Sequence, residues 1–372
     1  MINDVIPLTP LQNDRGMALL ITLTILTVLI TTTLALNRQM RGTVMAIATA
    51  RDRLTLTQMA AGGIHTAMAM LVEDRYETRI DSVQEDWANA DKVNEALADA
   101  PLSEGKVSVE IRDELGLIQV NALVNFPKGQ YVKGVENDAQ YAMWLRLLTL
   151  LKANHESFDE LETAAVVDSI VDWLDSGDDD RTFGINSAEA DYYKSLDPPY
   201  EPRNGPIPHV SDLLRIKGIT RPLYEGIEEF PGMADFVTPH GMEKANQKED
   251  RRDFTFSGRI NINTAPLPVI VGLLPGDVNL EYAQLIHDYR VEKDGDVYIH
   301  DLSSPTWYQS VPGVPGDLRI EPRLITTSSD VFRIESTATL REDEASIIAV
   351  IRREKDPETG KWTCRVLRWE TG

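Results

Sequence analysis

The chain has 372 residues, of which 42% are hydrophobic and 26% are charged, and it contains 23 Gly and 20 Pro. This ordinary globular composition excludes disordered, collagen-like and low-complexity classes and predicts two or three domains. The single cysteine, Cys364, excludes a disulfide framework and a CxxC metal or redox site. The formal net charge of −22 repels phosphate backbones and attracts cations, so we expect no nucleic-acid partner.

An uncharged segment lies near the N-terminus, at residues 17–36 (MALLITLTILTVLITTTLAL). As a helix it would be about 30 Å long, which is the thickness of a bilayer core. Three interpretations are open. The segment is a cleaved secretory signal with a weak site at Thr33-Leu34-Ala35, a plain membrane anchor, or a pilin-type segment preceded by a short polar leader. Residues 1–16 fit such a leader, and Arg15-Gly16 fits its end.

The helix is predicted to continue well beyond the apolar segment. No proline occurs between Pro10 and Pro101, and residues 38–76 are rich in good helix formers. One continuous helix from about residue 17 to 76 would measure roughly 90 Å. Its second half is amphipathic, with apolar residues near helical spacing at Val44, Ile47, Leu54, Ala61 and Met68. The pattern fits either a pilin spine or an anchor followed by an unrelated helix.

Orientation in the membrane is not given by charge alone. Lys and Arg normally mark the cytoplasmic side of a spanning helix. The leader carries one Arg, whereas residues 37–56 carry four. The charge rule taken by itself would therefore place the body in the cytoplasm.

The rest of the chain predicts an α+β body. Residues 106–112 and 117–124 predict a hairpin with Gly116 at its turn. Further helices are predicted at 138–153, 159–174, 210–217, 222–230, 266–274 and 280–290, and a three-strand meander at 331–340, 345–353 and 361–369. We expect strands on both sides of the helical block to pair with each other, although three separate domains would give the same pattern.

Residues 262–290 resemble a helix-hairpin-helix unit, and residues 214–219 resemble a degenerate second copy of its turn. Asn263 or Thr264 is a plausible cap for the first helix of this unit. In DNA-binding relatives the turn amides hold phosphates. Here Asp277 follows the turn glycine and the surroundings are acidic, which favours a structural use of the hairpin.

Five aspartates fall within nine residues, at Asp172, Asp175, Asp178, Asp179 and Asp180, and Glu189 and Asp191 follow. So many carboxylates in one loop repel each other unless a cation neutralises them, and Ca²⁺ takes six to eight oxygen ligands. The spacing does not match an EF-hand, and a solvated acidic loop is the alternative. HExxH, GxSxG and P-loop motifs do not occur in the sequence, so we do not expect an enzyme.

A linked set of segments resembles the family of type II secretion system protein K, the large minor pseudopilins, from Arg15 to about Trp369. The resemblance rests on RGMALLITLTILTVL (15–29), AVVDSIVDWLDSGDDD (165–180), AEADYYKSLDPPYEPRNGPI (188–207), LLRIKGI (213–219) and GRININTAP (258–266). It implies an α+β fold, in which a pilin-like long N-terminal helix packs on an antiparallel sheet and a large α-helical domain with helix-hairpin-helix-like units is inserted.

The resemblance also implies a division of the chain. Residues 1–16 would be the prepilin leader, 17–36 the transmembrane part of the long helix, 37–124 and 326–372 the pilin-like body, and 125–325 the inserted domain. Prepilin peptidase would cut after Gly16 and leave Met17 as the new N-terminus, which is usually methylated. Ile21 stands where most pilin-like proteins carry Glu, and this absence is typical of protein K.

The resemblance implies that the chain is a non-enzymatic subunit at the tip of the pseudopilus. This subunit would initiate assembly of the pseudopilus for the export of folded proteins. Its partners would be minor pseudopilins I and J and the inner-membrane assembly platform. The chain would cross the bacterial inner membrane once, with its body in the periplasm. The resemblance also implies a structural Ca²⁺ site, for which we select Asp175, Asp178, Asp180, Glu189 and Asp191. The alternative is a membrane-anchored helix-hairpin-helix protein that binds DNA.

Overall fold

The structure is a computed structural model that describes residues 14–98, 105–133, 135–176, 183–184, 186–244, 254–276 and 280–372. Its helices differ greatly in length, from five residues to 64. They are α1 (Asp14–Glu77), α2 (Ala90–Ala98), α3 (Val135–Asn154), α4 (Thr163–Leu174), α5 (Ala190–Lys194), α6 (Arg221–Glu225), α7 (Leu267–Leu273) and α8 (Leu280–Tyr289).

The strands fall into one large sheet and several two-residue or three-residue pairs. They are β1 (Lys106–Asp113), β2 (Ile118–Gln119), β3 (Gly226–Ile227), β4 (Phe230–Pro231), β5 (Val237–Thr238), β6 (Met242–Lys244), β7 (Phe254–Phe256), β8 (Ile260–Asn261), β9 (Lys293–Asp294), β10 (Val297–Tyr298), β11 (Ile325–Thr326), β12 (Val331–Leu340), β13 (Asp343–Lys355) and β14 (Trp362–Thr371). The large sheet has the order β1-β12-β13-β14, and all its pairs are antiparallel.

The large sheet confirms two predictions. Its last three strands are the predicted meander, and β1 pairs with β12 across the whole inserted segment, from Lys106 opposite Thr339 to Asp113 opposite Phe332. Phe332, Ile334 and Ala338 alternate along β12 and are fully buried. This period of two places them on one face, which packs against α1.

The single long helix is confirmed as α1. The stripe that it packs on the sheet is Leu56, Ala60, Ile64, Ala67 and Leu71, all buried and spaced three or four residues apart. The predicted stripe was wrong in part, because Val44, Ile47 and Leu54 are 59–65% exposed. Spacing alone could not choose the buried face, since both sets of residues are apolar at helical intervals.

The predicted hairpin at 106–124 is wrong. β1 is followed by a 3-10 turn at Glu114–Gly116, and the short strand β2 pairs in parallel with β5. Residues 118–124 are buried throughout, with no alternation between buried and exposed positions. Ile118, Val120, Leu123 and Val124 belong to the same buried core as the helices of the inserted segment.

The inserted domain has its own core, which includes Trp144 on α3 and Ile170 on α4. The helices predicted at 138–153, 159–174, 266–274 and 280–290 are present with shifted ends. Residues 210–217 instead form a 3-10 helix at Val210–Arg215, and the segment 222–230 holds only α6 before the β3–β4 hairpin. Gly226 ends α6 with a φ of 94°, a conformation that favours glycine.

The two helices of the predicted helix-hairpin-helix-like unit are present as α7 and α8 and contact each other, and residues 277–279 between them lie outside the described residues. The predicted cap was wrong. Pro266 is the residue that precedes α7, and no side chain caps that helix. Asn263 and Thr264 are engaged elsewhere, because Asn263 accepts a hydrogen bond from Trp307 Nε1 at 2.7 Å and Thr264 donates one to Asp113 at 2.6 Å.

Candidate membrane anchor and metal centre

The N-terminal half of α1 extends beyond the sheet. Within the described residues, Gly16–Glu77 is long and apolar enough to cross a membrane. Its most apolar 18-residue window has a mean hydropathy of 2.3 and none of it is buried in the protein. An apolar window that none of the described residues covers is typical of a helix surrounded by lipid or by neighbouring protein.

The threonines of the apolar segment do not interrupt it. The six hydroxyls donate hydrogen bonds to backbone carbonyls three or four residues earlier, at 2.7–3.0 Å, from Thr22, Thr24, Thr27, Thr31, Thr32 and Thr33. A polar group in hydrocarbon is costly unless it is satisfied, and these are satisfied within the helix. The Thr-rich composition is thus compatible with a lipid-facing helix.

The predicted processing residues lie at the start of α1. Gly16 is in its first turn, and a side chain at this position would meet no other atom within 4 Å. Met17 and Ile21 are 64% and 52% exposed on the same helix. Residues 1–13 of the predicted leader lie outside the described residues.

Three carboxylates meet where α4 ends. Asp172 is in the last turn of α4, Asp175 follows its last residue, and Glu189 immediately precedes α5. One oxygen atom from each of these side chains lies within 4.8 Å of the other two. Ligands on opposite sides of a Ca²⁺ ion with bonds of about 2.4 Å are about 4.8 Å apart, so the three oxygens have the spacing to share one ion.

The buried member of the group is Asp172, at 1% exposure. Burial raises the pKa of its carboxyl to about 6, and hydrogen bonds from Ser187 and from the Phe183 N–H oppose that shift. The Phe183 nitrogen lies 2.8 Å from Asp172 Oδ1. The chemistry of the three donors fits Ca²⁺, because they are hard oxygen ligands with excess negative charge in a partly desolvated place.

The structure brings together two of the five residues selected from the sequence, Asp175 and Glu189. Asp178 and Asp180 lie outside the described residues. Asp191 is exposed on α5 and is not among the three clustered carboxylates. Asp172 was part of the acidic run but was not selected. Its spacing of three residues from Asp175 would have indicated a shared helix face.

The segment GRININTAP joins the inserted domain to the body. Asn261 Nδ2 donates hydrogen bonds to the Asp81 carbonyl at 2.9 Å and to Asp113 Oδ2 at 2.8 Å. The same Asp113 oxygen also accepts hydrogen bonds from the hydroxyls of Thr264 and Ser329, each at 2.6 Å. We did not predict this junction, because it depends on partners that are far apart in sequence.

A buried guanidinium lies beside this junction. Arg353 on β13 is 2% exposed, pairs with Asp81, and lies 3.0 Å from Asp74 on α1. Burial and, to a lesser degree, the negative charges of Glu85 and Asp81 raise the pKa of Asp74 to about 7, against the opposing effect of Arg353. Arg353 therefore pairs with two carboxylates, and Arg75 also lies 4.0 Å from Asp81.

Comparison with known proteins identifies the class to which this arrangement belongs. Over 87% of this chain and 98% of the other, the fold matches a chain in the crystal structure of the GspK-GspI-GspJ complex from enterotoxigenic Escherichia coli, with a TM-score of 0.58 and 16% identity. The fold is therefore that α+β architecture, with a long N-terminal apolar helix, an antiparallel sheet and an inserted helical domain.

The amino-acid sequence is similar to one particular family. Residues 116–230 match the family model described as Type II secretion system (T2SS), protein K. The type II secretion system protein K of Aeromonas hydrophila is 27% identical over 218 residues, 57% of this chain and 61% of the relative. That of Klebsiella pneumoniae is 25% identical over 215 residues, 58% of this chain and 61% of the relative. These matches confirm the resemblance of this chain to the protein K family.

The sequence matches to the two relatives cover only part of each protein. They span about three fifths of the length of each of these two relatives. The family match covers residues of the inserted domain, including Asp172, Asp175 and Glu189 of the acidic cluster.

Proposed function

We propose that this chain is a minor pseudopilin, anchored in the bacterial inner membrane by residues 17–36 with its body in the periplasm. The observation that carries the proposal is α1 itself. One continuous helix of 64 residues is exposed and apolar in its first part and buried under a four-stranded sheet in its last part. Such a helix connects a membrane to a folded head without a hinge.

The proposed place of this subunit is the tip of the pseudopilus, where it initiates assembly for the export of folded proteins. Two observations support this position. Ile21 is apolar, so it offers no carboxylate to the terminal amine of a subunit above it. The inserted domain has a separate core from that of the pilin-like body and adds a bulky layer that would obstruct stacking on that side.

The proposed partners are minor pseudopilins I and J. The fold match is to a chain of a complex that contains proteins of these names, in Escherichia coli. On this chain, the surface for them would be the apolar part of α1 that the sheet leaves uncovered, at Val44, Ile47 and Leu54. These three residues lie within about 80° on a helix of 3.6 residues per turn, so they form one stripe.

A matched pair of variants tests this surface. Ile47→Asp places a charge in the stripe, whereas Thr49→Asp places the same charge about 200° away on the helix. Both residues are exposed, so neither change should unfold the protein. In co-purification with tagged pseudopilins I and J, we expect Ile47→Asp to lower recovery and Thr49→Asp to leave it unchanged. Equal recovery for both variants would contradict the stripe as the interface.

Processing of the N-terminus tests the pathway. We expect co-expressed prepilin peptidase to remove residues 1–16 and leave Met17 as a methylated N-terminus, read by intact mass. Gly16→Leu should block the cleavage. Gly42→Leu is the control, because both glycines are on α1 with no atom within 4 Å of an added side chain. An uncut chain, or a cut near Ala35, would overturn the pilin pathway.

A structural Ca²⁺ ion in the acidic cluster is part of the proposal. Asp172, Asp175 and Glu189 would hold it, with the remaining oxygen ligands supplied by other residues of the loop or by water. Such an ion would fix the end of α4 against the start of α5. DNA binding is disfavoured, because the acidic body of the protein repels phosphate.

A further inference from the structure

An arginine-rich groove lies on the inserted domain, in a chain whose net charge is −22. It consists of three adjoining cavities around the segment 319–324, with volumes of about 760, 390 and 340 Å³. Its guanidiniums come from Arg146, Arg259, Arg319 and Arg323, and we call this surface the arginine groove.

The backbone places these residues together. Strands β8 and β11 are paired in parallel, with Ile260 opposite Ile325, and the Ile260 nitrogen donates a hydrogen bond to the Leu324 carbonyl at 2.7 Å. Arg259 and Arg323 lie just before these strands, and both line the same cavity. Arg319 lies one residue before Ile320, whose nitrogen donates to Tyr308 Oη at 3.0 Å.

Among the described residues, the guanidiniums of Arg146, Arg259 and Arg319 have few carboxylate neighbours. Arg146 Nε donates to the Gly272 carbonyl at 2.9 Å, and Arg319 Nη1 donates to the carbonyls of Gly316 and Leu318. In the described part of the chain, no carboxylate forms an ion pair with Arg146, Arg259 or Arg319. Among the described residues that line the three cavities, Glu321 is the one acidic side chain. Burial also lowers the pKa of Arg146, so its charge is poorly solvated.

We propose that the arginine groove binds a short acidic segment of a partner protein. Guanidiniums pair with carboxylates through two parallel hydrogen bonds, and Arg259 and Arg319 are both exposed for this contact. Pro322 lines the same cavity and is exposed, which offers an apolar contact to the side chains of a peptide. A long polyanion such as nucleic acid or an anionic membrane would meet the repulsion of the acidic body.

The test uses the full chain in non-ionic detergent and a short fluorescein-labelled peptide that alternates Glu with Leu or Ala. Binding is followed by fluorescence anisotropy at low salt. A second peptide carries Gln at each Glu position. We expect the Glu peptide to bind at least about tenfold more tightly than the Gln peptide, and its affinity to fall as salt rises.

Charge-reversed variants localise the binding. The double variant Arg259→Glu, Arg319→Glu should weaken the Glu peptide by about tenfold or more. The control double variant Lys92→Glu, Arg221→Glu makes the same change in net charge at exposed positions outside the groove, and should have little effect. Thermal melts of both variants establish that they are folded.

Several outcomes would overturn the proposal. These are the lack of any binding at millimolar peptide, equal binding of the Glu and Gln peptides, and equal losses in the two double variants. A further contrary outcome is tighter, Arg259-dependent binding of phosphatidylglycerol vesicles or of a single-stranded oligonucleotide. That result would assign the groove to a phosphate ligand.

Discussion

Asn261 Nδ2 lies 2.8 Å from Asp113 Oδ2, although the two residues are 148 positions apart in the chain. Asp113 ends β1 of the pilin-like sheet, and Asn261 ends β8 of the inserted domain. Both are buried, and the same amide donates to the Asp81 carbonyl. This contact ties the two cores together where the chain passes from one to the other.

We therefore expect Asn261→Ala to loosen the junction. The change removes donors from two buried acceptors, which costs about 1–3 kcal/mol. The thermal midpoint of the full chain should fall, and trypsin should cut the connections between the domains sooner. Asn186→Ala is the control, because Asn186 is exposed and its amide donates to Glu162 at the surface. A variant as stable and as resistant as the control would show that Asn261 does not hold the junction.

The sequence predicted elements whose signal is local or strictly periodic. The long helix followed from a proline-free run of helix formers, and the meander followed from alternation within each strand. The pairing of β1 with β12 followed from the position of strands on both sides of a helical block. Each of these features rests on a pattern that extends over many residues, so a single residue that does not fit the pattern does not change the prediction.

The wrong predictions concern residues whose conformation depends on contacts with residues far away in the sequence. Asn263 and Thr264 have the composition of a helix cap, but tertiary partners at Trp307 and Asp113 engage their side chains. Residues 117–124 look like the second strand of a hairpin, but residues 118–124 are buried without alternation in a second core. The acidic run indicated a cation site, whereas the three carboxylates that lie close together include Glu189, which is 17 residues after Asp172 in the chain. Such contacts become visible only when the chain is folded.

Stability should depend on pH through Asp74. Its carboxyl has an ordinary pKa of 3.8, and burial together with the charges of Glu85 and Asp81 raises this to about 7 in the fold. Between these values the folded state binds more protons than the unfolded state. The free energy of unfolding should therefore fall as pH rises through this window. Because Asp74 is partly accessible to solvent, we expect its share to be roughly 1 kcal/mol.

Urea midpoints measured from about pH 4 to pH 7 check this expectation, with the range set by the two pKa values of Asp74. Asp74→Asn should flatten the dependence, while Asp86→Asn, on an exposed residue, should leave it as it is. Some slope should remain in Asp74→Asn, because burial also raises the pKa of Asp113 to about 6. Parallel curves for the wild type and both variants would contradict the role of Asp74.

The acidic cluster gives a prediction about Ca²⁺. Adding Ca²⁺ to the chelator-treated full chain should raise its thermal midpoint, since an ion that binds only the folded state stabilises it. Asp172→Asn should reduce this increase. Asp191→Asn, a change at the residue that lies outside the three-carboxylate group, should largely retain it. If Asp191→Asn loses the effect and Asp172→Asn keeps it, the ligands are those of a different arrangement of the loop.

Two adjacent glycines on α1 give a sharp test of how closely that helix approaches the sheet. An added Cβ at Gly63 would collide with Ser336 Oγ and would lie 2.8 Å from Val109 Cγ2 and 2.9 Å from Val107 Cγ1. At Gly62 it would meet nothing within 4 Å. Gly63→Ala must push the helix away from β1 and β12, and overpacking of this kind costs about 1–3 kcal/mol.

Gly62→Ala should be neutral, or stabilise the protein by up to about 1 kcal/mol, because alanine restricts the unfolded chain and favours helix. We therefore expect the urea midpoints of the two variants to shift in opposite directions or to differ clearly. Unfolding is followed through Trp87, which lies in the core beneath α1. Equal midpoints would mean that α1 lies farther from the sheet than described. The long helix would then be held by its buried stripe alone and not by close backbone approach at Gly63.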